Sequence, residues 1–95
     1  MASANKNLSK YDPSMVPNGT SYRICLIVSE WNHEITNRLY IGAQKTLLKH
    51  NVLPENIVKI HVPGSFELIY GASKAQTQNF DAIIAIGCII KGETR

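Results

Sequence analysis

Apolar and polar positions change rhythm several times along the chain, and each change marks an element. In Ser21-Tyr-Arg-Ile-Cys-Leu-Ile-Val-Ser29 the second half is continuously apolar, the pattern of a strand covered on both faces. Ile35, Leu39, Ala43 and Leu47 then recur every fourth residue and are joined by Tyr40 and Leu48, which predicts a helix with one apolar stripe. Asn32 stands where an N-cap is expected, and Glu34 falls in the first turn, where it complements the helix dipole. Lys49 and His50 fall in the last turn, Asn51 suits the C-cap and Pro54 forbids continuation. Asn56 to Val62 predicts a second strand, broken by Pro63-Gly64. Ser65 then opens a second helix with Leu68, Ile69, Ala72 and Ala75 on its buried side, closed by Asn79 and Phe80. From Asp81 a short isoleucine-rich run, too short to span a membrane, predicts an interior strand of a parallel sheet.

Strand, helix, strand, helix, strand is the order of right-handed βαβ units in a parallel sheet, since each helix is long enough to serve as a crossover. Residues 21–95 make one α/β domain on this pattern, with no internal repeat. Residues 1–20 are polar, carry two prolines and a Pro-Asn-Gly turn signal, and are predicted to form a flexible arm. Ligands of open parallel sheets bind outside the carboxyl ends of the strands. The three exits there are Trp31-Asn32, Pro63 to Glu67, and Gly92 to Thr94.

Composition narrows the partners. A content of 44% hydrophobic and 18% charged residues over 95 positions fits a packed domain and departs from the signature of disorder. Ten Lys and Arg against seven Asp and Glu give +3, spread without a basic run, which argues against a nucleic-acid surface and suits a small anionic ligand. Residues 1–18 hold no apolar leader core and no arginine-rich amphipathic pattern, and no later run is long enough for a membrane, so a cytoplasmic protein with no membrane partner is expected. Cys25 and Cys88 lie in apolar strand-like runs without metal-type spacing and are expected as reduced thiols. His33, His50 and His61 share no ligand spacing, so no metal site is expected.

At the strand exits the residue types change. The Trp31 indole can stack on a flat heteroaromatic ring, or it closes one end of the core. Pro63-Gly64-Ser65-Phe66-Glu67 offers backbone N–H groups at a helix start with a carboxylate that can accept from ligand hydroxyls, although an ordinary strand-to-helix turn has the same composition. Gly92-Glu93-Thr94 lacks the P-loop pattern but has the glycine and hydroxyl of a simpler phosphate cradle. Lys91 stands at the loop mouth either as a plain charge or as an amine able to form a Schiff base.

Taken together, Glu30-Trp31-Asn32 with Ile35, then Val62-Pro63-Gly64-Ser65-Phe66-Glu67-Leu68, then Gly87-Cys88-Ile89-Ile90-Lys91-Gly92-Glu93-Thr94 resemble the three successive signatures of the 6,7-dimethyl-8-ribityllumazine synthase family of riboflavin biosynthesis, spacing included. The resemblance runs from about Tyr22 to Arg95. It implies a three-layer αβα flavodoxin-like parallel sheet, here cut after the third core strand. It also implies a transferase that condenses 5-amino-6-(D-ribitylamino)uracil with 3,4-dihydroxy-2-butanone 4-phosphate, needing no metal or cofactor. On the family pattern Trp31, where Phe is common, stacks on the pyrimidine. Ser65, Phe66 and Glu67 bind the ribitylaminouracil, with Glu67 on a ribityl hydroxyl, and Cys88, Ile89 and Ile90 meet the uracil edge through their backbone. Glu93 and Thr94 hold the butanone phosphate.

Two positions depart from the family: Cys88 where Thr or Ser is common, and Lys91 where Arg or Gln is common. The family's proton-donor histidine follows the Gly-Glu-Thr segment within two residues and so lies beyond Arg95, which predicts poor activity for the 95 residues by themselves. The resemblance further implies a homo-oligomer, either a pentamer or a capsid of twelve pentamers, with sites between subunits and the arm on a neighbour's sheet. Two other functions fit the same residues: a flavodoxin-like module that binds a flavin or pteridine without chemistry, and a shell protein with an idle site.

Overall fold

The computed structural model describes residues 10–91. Its elements run β1 (Ile24–Ser29), α1 (His33–Lys49), β2 (Ile57–Val62), α2 (Glu67–Ala75) and β3 (Ala82–Ile86), with single 3-10 turns at Pro13–Met15 and Pro54–Asn56. The strands form one parallel sheet in the order β2-β1-β3, with Ile24 opposite both Ile57 and Ala82. Because side chains alternate across a strand, β1 divides the core in two. Cys25 and Ile27 pack with Leu68, Ala72 and Ala75 of α2, whereas Ile24 and Leu26 pack with Tyr40, Ala43 and Leu47 of α1. A helix therefore covers each face, and all six residues of β1 are buried. Burying a side chain such as Leu26 or Ile27 completely contributes about 1.5–3 kcal/mol. The same dry setting pushes the Cys25 thiol above its ordinary value, since burial penalises the thiolate.

Several elements differ from the sequence expectation. Among the described residues β3 stands at the edge of the sheet rather than inside it, and Ala82, Ile84 and Ala85 are exposed. The apolar stripe of α1 is rotated by one residue. Thr36, Tyr40, Ala43 and Leu47 face the sheet, while Ile35, Leu39 and Leu48 are 41–50% exposed. Thr36 is fully buried because its hydroxyl turns back onto the helix, donating to the His33 carbonyl at 3.4 Å. The α1 C-cap is His50, and Asn51 follows with φ 76°, so the left-handed residue that ends the helix lies just past the cap. In α2 the buried line is Leu68, Ala72 and Ala75. Ile69 lies about 100° round the helix from Leu68 and is 74% exposed. The helix also ends at Ala75, well before Asn79 and Phe80.

At the amino-terminal end of the sheet the chain fastens to itself. Arg23 N–H donates to Asp81 Oδ2 at 2.7 Å and Asp81 N–H returns a bond to the Arg23 carbonyl at 2.8 Å, which fixes where β3 begins beside β1. The Arg23 guanidinium donates to the Gln78 carbonyl at 2.6 Å and lies 4.1 Å from the Phe80 ring centroid. Gly19 N–H donates to the His50 carbonyl at 2.7 Å, and a Cβ on Gly19 would stand 2.5 Å from Val52 Cγ2. Among the described residues no helix is long and apolar enough to cross a membrane.

Candidate active site

The carboxyl ends of the strands bring the exits together. Beyond β1, Glu30 N–H donates to the Val62 carbonyl at 2.8 Å and Trp31 N–H to the Pro63 carbonyl at 3.0 Å, so the exits of β1 and β2 run side by side past the sheet. Between them opens a cleft of about 310 Å³ lined by Glu30, Trp31, Asn32 and Pro63. The indole of Trp31 is 68% exposed. It therefore does not close the core, and its face is available for stacking.

Gly64 joins the first two exits. Its N–H donates to Glu67 Oε1 at 2.8 Å, which holds the carboxylate over the start of α2 and leaves the other oxygen free. A Cβ on Gly64 would stand 3.0 Å from Glu67 Oε1 and 3.3 Å from Trp31 Cδ1. The bare glycine is thus the surface on which the indole and the carboxylate meet. Glu67 thus satisfies a backbone donor of the turn, as an ordinary strand-to-helix turn does, and lies beside Trp31 across Gly64.

The third exit is tied in through one carbonyl. Ser65 Oγ donates to the Cys88 carbonyl at 3.4 Å and Asn32 Nδ2 to the same oxygen at 3.3 Å. Asn32 has φ 60°, ψ 47°, and its side chain makes no cap bond to α1, so the expected N-cap is replaced by a cross-link between the exits of β1 and β3. Asparagine accepts the left-handed conformation more readily than most residues. That tolerance was the one trace of this role in the sequence. Close packing at the β3 exit requires Gly87, where a Cβ would stand 2.7 Å from Leu68 Cδ1.

Trp31, Ser65, Glu67 and Cys88 are therefore brought to one edge. Phe66, Ile89 and Ile90 are at the same edge but 87%, 88% and 61% exposed. Glu93 and Thr94, with Gly92, lie outside the described residues. His61 Nδ1 sits 4.0 Å from Glu30 Oε2 with both side chains solvent-exposed, a contact of little consequence. His50 caps α1 at the opposite end of the sheet, where Tyr11 Oη lies 3.0 Å from its Nε2. Both cysteines are free thiols, Cys25 buried and Cys88 partly so. Among the described residues no group of three His, Cys, Asp or Glu side chains is placed to hold a metal ion.

An open parallel sheet covered by helices on both faces, with its strand exits tied together at one edge, defines an α/β protein of flavodoxin-like arrangement. A family model described as 6,7-dimethyl-8-ribityllumazine synthase matches residues 21–95. Similar curated proteins carry that same name. The one from Flavobacterium johnsoniae is 54% identical over 100% of this chain and 50% of its own length, and the one from Parabacteroides distasonis is 50% identical over 99% of this chain and 59% of its own. The chain belongs to the 6,7-dimethyl-8-ribityllumazine synthase family. It spans about half the length of the curated relatives it matches.

Proposed function

We propose that this chain supplies the ribitylaminouracil half of a lumazine synthase site, in a transferase of riboflavin biosynthesis. The observation that carries the reading is the meeting of the Trp31 indole and the Glu67 carboxylate across Gly64, a stacking face beside an acceptor for hydroxyls. A pyrimidine bearing a polyhydroxyl chain needs both, one for its ring and one for its tail. In this reading Trp31 stacks on the uracil ring, Ser65, Phe66 and Glu67 bind the ribitylaminouracil, Glu67 at a ribityl hydroxyl, and the backbone of Cys88, Ile89 and Ile90 meets the uracil edge. Glu93 and Thr94 hold the phosphate of the butanone.

The reaction asks for little covalent help. An arylamine attacks a ketone, phosphate departs, and the ring closes with loss of water, so holding the two substrates in contact supplies much of the acceleration. Proton transfer falls to a residue outside these 95, in line with the family's histidine. Four large apolar residues at this edge of the sheet, Trp31, Phe66, Ile89 and Ile90, are 61–88% exposed, which supports a site completed by a neighbouring subunit. The assembly we propose is a cytoplasmic homo-oligomer, a pentamer or twelve pentamers in a capsid, in which residues 1–20 form an arm and residues 21–95 belong to the α/β domain.

The test is direct. The full-length protein, mixed with 5-amino-6-(D-ribitylamino)uracil and 3,4-dihydroxy-2-butanone 4-phosphate, is expected to generate the absorbance of the lumazine product. No product overturns the assignment. Sedimentation of the same protein measures the assembly, and a monomer there contradicts the interfacial site.

A further inference from the structure

Ser29 ends β1, and its hydroxyl is completely buried with no hydrogen-bond partner among the described residues. A buried hydroxyl left unpaired is costly, so one that persists calls for a role. The side chain points to the α2 face of the sheet, like Ile27 and Cys25 two and four residues before it. There it lies 3.6 Å from the point where a Cβ on Gly87 would stand, and Ser65 Oγ lies 3.1 Å from that same point. Two hydroxyls thus converge on the bare side of one glycine, with Leu68 Cδ1 2.7 Å from that same point. Ser65 donates to the Cys88 carbonyl at 3.4 Å, the long end of a hydrogen bond.

We propose that Ser29 is a positioning residue for Ser65. When ligand enters, the Ser65 hydroxyl turns its proton from the Cys88 carbonyl to a ligand oxygen, and Ser29 donates its own proton to Ser65 Oγ. The chain of bonds is then Ser29 to Ser65 to ligand, each hydroxyl giving one proton and Ser65 also accepting one. Leaving the Cys88 carbonyl costs little, because Asn32 Nδ2 continues to donate to it at 3.3 Å. The orphaned hydroxyl of the free protein gains its partner only in the complex, so its free energy contributes to binding rather than to folding.

The inference rests on the proposed ligand class, and a double-mutant cycle on the full-length protein tests it. Ser29→Ala is expected to weaken binding of 5-amino-6-(D-ribitylamino)uracil, followed by quenching of Trp31 fluorescence, by about threefold to tenfold. KM for that substrate rises by the same factor while kcat and KM for the butanone phosphate stay unchanged. In a Ser65→Ala background the Ser29→Ala change is expected to have no further effect. The ligand-free melting temperature of Ser29→Ala is expected to equal or exceed that of the wild type, since an unpaired buried group has been removed. Equal factors in both backgrounds, unchanged binding, or a lowered melting temperature with unchanged affinity overturns the proposal. Binding of ribitylaminouracil without turnover defeats the functional reading and leaves this one to the cycle, whereas no binding by the wild type defeats both.

Discussion

At the amino-terminal end of the sheet Arg23, Gln78, Phe80 and Asp81 close on one another, and Gly19 fits between His50 and Val52 with no room for a single extra carbon. At the carboxyl end the large side chains Trp31, Phe66, Ile89 and Ile90 stand mostly in solvent, and the groups beneath them are joined by a few long hydrogen bonds to one carbonyl. Both ends belong to the same strands. Among the described residues the amino-terminal end spends its hydrogen-bonding capacity on its own chain, whereas the carboxyl end leaves an indole face, a carboxylate oxygen and a buried hydroxyl without a partner. Surface left in that state is available to something else, and we propose that it takes a ribitylaminouracil.

The contrast predicts that mutations separate into those that unfold and those that unbind. The largest effect is expected between the two ends, in the strand that joins them. Leu26→Ala empties a fully buried position of β1 and should cost about 2–5 kcal/mol in denaturant unfolding. A loss below about 1 kcal/mol would mean that β1 is not the seam of both half-cores. At the amino end, Gly19→Val forces a side chain onto Val52 and the His50 carbonyl and should cost about 1–3 kcal/mol. Ligand quenching of Trp31 should stay as in the wild type, and a matching loss of affinity would show that the two ends are not independent.

At the carboxyl end, Glu67→Ala should weaken binding of ribitylaminouracil about tenfold or more, the loss of a hydrogen bond to a charged group. Glu67→Gln, which keeps an acceptor for the Gly64 N–H, should recover stability but not affinity. Recovery of both would reduce Glu67 to a turn residue.

The smallest effect is a pH dependence confined to the core. The Cys25 thiol is raised above 9.0 by burial, so the folded chain keeps its proton at a pH where the unfolded chain has begun to lose it. The stability that this group contributes is complete below pH 9.0 and is lost as pH rises through the higher folded value. Denaturation midpoints should decline above that pH, and Cys25→Ala should flatten the decline. An unchanged slope would assign the alkaline loss to other groups.

Hydrophobic rhythm was enough to determine the element order, the parallel βαβ topology and the covering of the first strand on both faces, because such a strand has to be apolar at nearly every position; that it is the central strand came only from the fold. Element order likewise placed Trp31 and Pro63 to Glu67 at strand exits, whereas the third exit expected at Gly92 to Thr94 lies outside the described residues and β3 ends earlier, at Ile86. Sequence could not show which side of an apolar helix faces inward. Thr36 belongs to the α1 interface and Ile35 does not, and only packing against β1 decides this when two adjacent stripes are both apolar. Nor could it show that Asn32 cross-links two strands instead of capping a helix, or that Ser29 is buried with no hydroxyl partner among the described residues. A polar residue's role depends on which partner comes within about 3 Å, and that distance is set across elements by the tertiary fold.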